Sequence, residues 1–493
     1  MTVPDRLSSV FKGRDEFDLT DGSIGKPLFY LSLPIVVTNL LQTAYNLADT
    51  LWLGRYSTEA LAAISFAFPM VFLLFSLGMG VTVAGSVLVA QHIGADEEEE
   101  AKYAASQTVS FAIIVSLVLG GVGYLVVGDL LGLLGASPEV LPLATDYMRV
   151  ISSGLVFMFG FFVFTALMRG YGDTITPMLV MLLTVVVNIV IDPFLIFGWW
   201  IFPELGVAGA AYATIFSRAL AFVVGMAIML RGTRGVQITP ADMVPNLTYA
   251  KKIVRIGVPA SIEGTGRSLS VNLMLVIVGL FPTTVVAGYG IGVRVFSVIF
   301  LPAIAVARGV ETMTGQNIGA EKPDRAATAA GIAAKTMLAI LGGLGIVVIL
   351  TARPIAAVFT DDPAVIAVTA DFLRWVAPTF GFIGVMRAYT GSFRGAGKTM
   401  TAAAISILML GFIRLPVALG LARPDILGLP LPAFGSTGIW MAFAVSNTAG
   451  AIIAYLWYRR GTWRDADPRG EVPVGDDDED EDRSDATVAP TDD

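Results

Sequence analysis

Long apolar stretches dominate the chain. Short charged or Gly/Pro-rich breaks divide them into twelve, at about 28–53, 60–90, 104–127, 140–167, 175–198, 206–230, 250–280, 284–307, 328–352, 364–390, 400–421 and 436–458. A bilayer core takes roughly 20 apolar residues per helical crossing. The stretches meet that length and lack the alternation of an outer-membrane barrel strand. They predict an all-α integral membrane protein with twelve transmembrane helices. The first 26 residues are charged and mixed, without an apolar region followed by a small-residue cleavage site, so no removable signal peptide is expected.

Sliding the chain by 225 residues lays one half on the other. LPIVV (33–37) falls on VPASI (258–262), QHIGA (91–95) on QNIGA (316–320), and MRGYGDT (168–174) on FRGAGKT (393–399). GVAGAAYAT (206–214) meets GSTGIWMAF (435–443) at a shift of 229. Each copy holds six spans, an even number, so both enter the membrane in the same sense. The expected result is two pseudo-symmetric six-helix bundles about an axis along the membrane normal, a geometry that permits rocking between alternate accesses. The organisation read from this is a cytoplasmic segment 1–26, a first lobe 27–231, a linker 232–249, a second lobe 250–460 and an acidic, disordered cytoplasmic tail 461–493.

Composition refines the picture. Of 493 residues, 55% are hydrophobic and 15% charged, and the mean hydropathy is +0.74. The formal net charge of −8 comes from one place: from Arg464 onward, 13 acidic and 3 basic residues give −10, leaving about +2 for the rest. Such a tail, with DDDEDED at 476–482, has too little apolar surface to fold. Seventeen Lys and Arg, Arg169 and Arg394 among them, fall in segments on one side of the spans, and only Arg55, Arg353 and Arg423 on the other. Positive residues favour the cytoplasm, so a multi-pass protein of the cell membrane with both termini inside is expected. Arg outnumbers Lys 24 to 8 beside an acidic surplus, which suits the salt-rich cytosol of a halophilic prokaryote. The absence of cysteine excludes disulfides, iron–sulfur clusters and thiolate metal sites. Nothing calls for a cofactor or a nucleic-acid partner, and a monomer in membrane lipid is expected.

The GYGD of residues 170–173 matches the signature of intramembrane aspartyl proteases. In the second copy, however, Lys398 stands where Asp173 stands, while the arginine, both glycines and the threonine are kept. Lysine cannot do the chemistry of a catalytic aspartate, so the shared feature is a turn, with Thr174 able to cap the next helix. His92, the only histidine, faces Asn317 in the repeat and reads as a polar residue near a helix end.

Chemistry specific to this chain is expected where the halves differ, since a charge in hydrocarbon is costly and retained for function or pairing. Asp49 in the first span and Asp192 and Asn188 in the fifth face Met274, Val417 and Ile413 in the second copy, and Thr214 in the sixth faces Phe443. Asn188 lies one helical turn before Asp192, on the same face. Asp49, Asp192 and Thr214 belong to the outer half of their spans, within a band of roughly 6 Å at ~1.5 Å per residue. Two carboxylates in an apolar bundle with no evident Lys or Arg nearby cannot both stay ionised cheaply, and a proton or a Na⁺ held by these oxygen donors relieves the problem. Glu263 in the seventh span has Arg267 four residues on, in the favourable order for an ion pair. Both are candidates for lining a substrate cavity, as are Tyr45, Phe66, Phe68, Met70 and Phe159. Arg294, Arg387 and Arg414 either contact an anionic substrate or pair internally. Pro34 and its repeat partner Pro259 each permit a helix to bend, Pro34 in the helix that carries Asp49.

Through PIVVTNLLQTAYNLADTLWLGRYSTEALAA, the two QxIGA segments, LMRGYGDTITPM with FRGAGKTM, and NIVIDP followed by GVAGAAYAT, the chain resembles multidrug and toxic compound extrusion (MATE) transporters, most of all their prokaryotic DinF-like branch. The resemblance covers about residues 25 to 460. It implies two six-helix bundles around a central cavity and export of drugs or amphipathic organic compounds in exchange for H⁺ or Na⁺, with Asp49, Asn188, Asp192 and Thr214 matching the branch's cation-site residues. The NorM-like branch carries further acids in the seventh and eighth spans. Here the seventh has Arg267 and the eighth has no acid before Glu311. Two other readings stand beside antiport: a flippase for a lipid-linked precursor, which calls for a strongly cationic cavity, and an intramembrane aspartyl protease, which the Lys398 replacement disfavours.

Overall fold

The structure, a computed structural model, describes residues 16–133 and 137–464; the expected tail lies outside them from residue 465 on, as do the first fifteen residues. Among the described residues every regular element is helical. Twelve segments follow in the expected order: Gly25–Tyr56, Thr58–Gly94, Glu98–Leu133, the broken pair Val140–Ser153 and Leu155–Tyr171, Ile175–Phe197, Gly206–Arg231, Leu247–Val278, the broken pair Thr283–Ile299 and Leu301–Gly319, Pro323–Ala357, Pro363–Gly395, Thr399–Ala422 and Ser436–Arg459. Nine are single helices long and apolar enough to cross a membrane, and each broken pair passes jointly. The seventh, Leu247–Val278, has the length, but Lys251, Lys252, Arg255, Glu263 and Arg267 interrupt its apolar run.

Several helices outrun the predicted stretches. The second has 37 residues, roughly 55 Å at 1.5 Å per residue, so it projects well beyond a hydrocarbon core. Local chemistry fixes the ends. Ser57 starts the second helix by accepting from the Ala60 N–H at 3.0 Å, and Glu98, Glu99 and Glu100 sit in the first turn of the third, where the helix dipole favours acids. The fourth span bends by 54° at Gly154, and the tenth carries a 3-10 turn, Ala377–Thr379, at the repeat-equivalent point. The eighth bends by 40° at Phe300, just before Pro302 sits in the first turn of the resumed helix, where its missing N–H costs nothing.

The repeated motifs clasp one another crosswise. Gln91 Nε2 donates to the Gly395 carbonyl at 3.0 Å, and its repeat partner Gln316 donates to the Gly170 and Tyr171 carbonyls, both at 3.0 Å. Thus QHIGA of one half grips FRGAGK of the other, and QNIGA grips MRGYGD. The crossing is backbone-close: a Cβ on Gly94 would overlap the Gln316 carbonyl, and one on Gly319 the Gln91 carbonyl.

Two straps reinforce this end. Before the first span, the Leu19 carbonyl accepts from Asn317 and Arg325, and Arg325 also reaches the Asp21 and Gly22 carbonyls. Before the seventh span, Gln107 holds the Asp242 and Val244 carbonyls at 2.6 and 2.7 Å, and Ser110 holds that of Met243. Each strap precedes one bundle and packs on the other. Further along, Gly80 and Gly257 bring the second and seventh helices into backbone contact, fixed by Ser261, which accepts from the Gly80 N–H and donates to the Leu77 carbonyl. These contacts join the bundles from the helix midpoints to the QxIGA ends.

Candidate functional site

The fifth and sixth spans form a tight hairpin. Gly198 and Gly206 turn with φ of 67° and 53°, Leu205 N–H donates to the Leu195 carbonyl at 3.0 Å, and Gly209 lies so close to Leu195 that a Cβ would strike its carbonyl. That approach carries Thr214 to the level of Asn188 and Asp192, which are joined by an Asn188 Nδ2 to Asp192 Oδ1 bond of 3.1 Å. The first span adds Asp49, beside Asp192, Thr214 and Asn188. All four side chains are at most 4% exposed. One oxygen of each, Asp49 Oδ1, Asn188 Oδ1, Asp192 Oδ2 and Thr214 Oγ1, is buried without a hydrogen-bond partner. Buried polar atoms are ordinarily satisfied, so this convergence of four orphan oxygens fits a hard cation or a shared proton.

The expectation that no base lies nearby is overturned. Arg218 of the sixth span is 2% exposed and interacts with Asp49. Its Nη2 donates to Gln42 Oε1 at 2.8 Å, and its guanidinium lies 4.7 Å over the Tyr45 ring and 5.0 Å over that of Phe161. Tyr147, buried in the fourth span, also borders both carboxylates. Sequence reasoning missed both, because Arg218 sits within an apolar run and Tyr147 on a helix with no motif. Two carboxylates and one guanidinium carry a net charge of −1, so a single cation makes the cluster neutral.

The second bundle is built differently. Met274, Ile413, Val417 and Phe443 replace the oxygen donors, and Arg414 lies 4.2 Å over the Phe443 ring while donating to Ser446 and Asn447. Arg414 therefore pairs internally, and Arg294 is exposed. Arg414 closes a π-helical stretch, Leu408–Arg414, just before Pro416, which has no N–H to continue the ladder.

Glu263 does not pair with Arg267 along its helix. It accepts from Arg394 Nη1 at 3.2 Å and from Ser406 at 2.8 Å. Arg394 also donates to Glu311 at 3.2 Å, and Glu311 takes Arg308 at 2.9 Å, with Arg169 at 3.9 Å. The two loop arginines counted toward orientation are thus turned inward, Arg394 being only 6% exposed. Without them the count is fifteen against three, with the same sign. A cavity of about 170 Å³ adjoins this network, lined by Glu263, Arg267, Arg308, Arg387 and Arg394 with Met79 and Ala260 among its apolar walls.

The aromatic candidates lie elsewhere. Tyr45 is buried beneath Arg218, Phe159 is packed on Gly78 and Phe75, Phe66 and Met70 pack into the core of the first bundle, and Phe68 is exposed. None lines that cavity, which takes Glu263, Arg267 and Arg387 from the sequence-read residues. Pro34 lies inside an unbroken helix, its carbonyl accepting from Thr38 Oγ1 at 2.8 Å. Asp173, not Thr174, caps the helix after the RGYGD turn: its carboxylate accepts from the N–H groups of Ile175 and Thr176 and from the Thr176 hydroxyl, with Gly172 at φ 106°. A carboxylate used this way is structural. His92 bonds Glu97 at 2.7 Å near its helix end.

Two repeated helical bundles with inward-facing polar clusters define a membrane transporter rather than an enzyme. The MatE family model matches residues 34–194 and 259–419, two segments at the offset of the repeat, and the chain belongs to the MATE family. It is 27% identical over 441 residues to the probable multidrug resistance protein YoeA of Bacillus subtilis, covering 89% of this chain and 94% of that one. To the FAD transporter of Shewanella oneidensis it is 28% identical over 447 residues, covering 91% and 97%. The crystal structure of MATE in the bent conformation superposes with a TM-score of 0.83 at 25% identity, over 90% of this chain and 96% of that one.

Proposed function

We propose that the protein exports amphipathic organic compounds across the cell membrane in exchange for H⁺ or Na⁺, as a DinF-like MATE transporter with both termini in the cytoplasm. The observation that carries this reading is the convergence of Asp49, Asn188, Asp192 and Thr214, with four unpartnered oxygens, in one bundle only. Arg218 sets the count at one cation per site occupancy. Binding that cation relieves the charge and draws the first, fifth and sixth spans together; releasing it lets them relax, and the bundle rocks about the clasp. The lobes 27–231 and 250–460, joined through 232–249, act as the moving units. With both termini inside, the clasp and straps lie at the cytoplasmic end and hold the bundles together there.

Purified protein in proteoliposomes tests the assignment, with a pH gradient and a Na⁺ gradient imposed separately. Export follows one of them, and Asp192→Asn abolishes that dependence; equal export under either gradient, or with none, rejects coupling at this site. The arginine-lined cavity also favours a second reading, a flippase for a lipid-linked precursor. That reading requires accelerated transbilayer movement of a lipid pyrophosphate in the same vesicles, independent of Asp49 and Asp192.

A further inference from the structure

The cavity beside Glu263 carries more positive charge than its own glutamates neutralise. Arg169, Arg267, Arg308, Arg387 and Arg394 surround Glu263 and Glu311, five cations against two anions. Arg308 and Arg394 are held by those glutamates. Arg267 and Arg387 make no hydrogen bond or ion pair among the described residues; both are half-buried and both line the cavity. Glu263 attracts both at longer range, while their own charges repel each other. Excess charge of one sign within a membrane protein costs free energy unless a counter-charge accompanies it. Two free guanidiniums, each planar and always charged, are suited to forked bonding with an oxyanion.

The walls between them are apolar, from Met79, Val83, Ala260, Ile304 and Ala307. Met79 and Val83 come from the first bundle and the rest from the second, so a molecule held here touches both moving units. We infer that this cavity binds the anionic group of an amphipathic, water-soluble organic anion, with Arg267 and Arg387 as the ligating pair. The Glu263–Arg394–Glu311–Arg308 network is the frame that keeps the pair free, because each glutamate is already engaged. The inference names a cargo class for the export reading and rests on it. Its binding test uses no ion gradient, so failure of coupling at Asp49 and Asp192 leaves the result unaffected.

The test compares flavin mononucleotide with riboflavin, two probes that share a ring system and differ in the phosphate, by fluorescence titration of the purified full-length protein. The unaltered protein binds flavin mononucleotide at least tenfold more tightly than riboflavin. The Arg267→Gln, Arg387→Gln double variant loses that preference, and the Arg267→Lys, Arg387→Lys variant recovers part of it. Gel filtration and thermal melting monitor folding, and the preserved weak riboflavin binding shows that the cavity itself survives. No binding of flavin mononucleotide, equal affinity for both probes, or an unchanged preference in the glutamine variant overturns the assignment. Displacement of flavin mononucleotide by phosphatidylglycerol in mixed vesicles also overturns it, by making a lipid headgroup the occupant.

Discussion

Glu311 is the residue on which the second bundle's charge network turns. It is 1% exposed and serves Arg308, Arg394 and, at longer range, Arg169. Breaking a buried ion pair from one side leaves the other charge uncompensated and costs about 3–5 kcal/mol. Glu311→Gln is therefore expected to lower the melting temperature of the purified protein sharply, whereas Asp173→Ala, which removes only a helix cap, costs about 1 kcal/mol and leaves transport intact. A large loss of transport with Asp173→Ala would restore a chemical role for the GYGD segment. At this scale the sequence exposed some residues and hid others for a physical reason. Asp49, Asn188, Asp192 and Thr214 stood out because their repeat partners are apolar. Arg218 and Glu311 did not, because Asn447 and Ser86 at the equivalent positions are polar too. Glu263 was found, but its partner was misread: spacing along one helix pointed to Arg267, while the bond goes to Arg394, 131 residues away.

The twelve helices were legible from apolar runs, and their breaks less so. The bend at Gly154 and the π turn before Arg414 depend on neighbouring helices, which no local pattern encodes. The two QxIGA segments were visible as repeats, yet their crossed grip appears only once the halves are folded together. That grip gives an element-scale prediction. Gly94 abuts the Gln316 backbone, which has no side chain to move aside, so Gly94→Ala pushes apart the ends of the second and eighth helices. Spin labels on those ends should report a longer mean distance than in the unaltered protein, with transport reduced at least severalfold. An unchanged distance distribution would show that the crossing is looser than the backbone contact implies.

The molecule as a whole joins a symmetric frame to asymmetric polar interiors. Repeat-related glycines, glutamines and straps hold the bundles together at one end, while the Asp49 and Asp192 cluster sets two acids beside one arginine and the network around Glu263 and Glu311 holds arginines in excess. The carboxylate cluster lies within the first bundle, whereas the arginine-lined cavity takes its walls from both. Orientation is testable because the chain has no cysteine. A single cysteine in place of Ile201, which is 81% exposed, should react with an impermeant maleimide from outside intact cells, and one in place of Glu99 should not. Coupling at the carboxylate cluster is tested by separating uphill export from downhill exchange for Asp49→Asn in proteoliposomes. The variant is expected to equilibrate substrate between compartments but to fail to accumulate it against a gradient when H⁺ or Na⁺ is supplied. Uphill export at the rate of the unaltered protein would contradict that coupling.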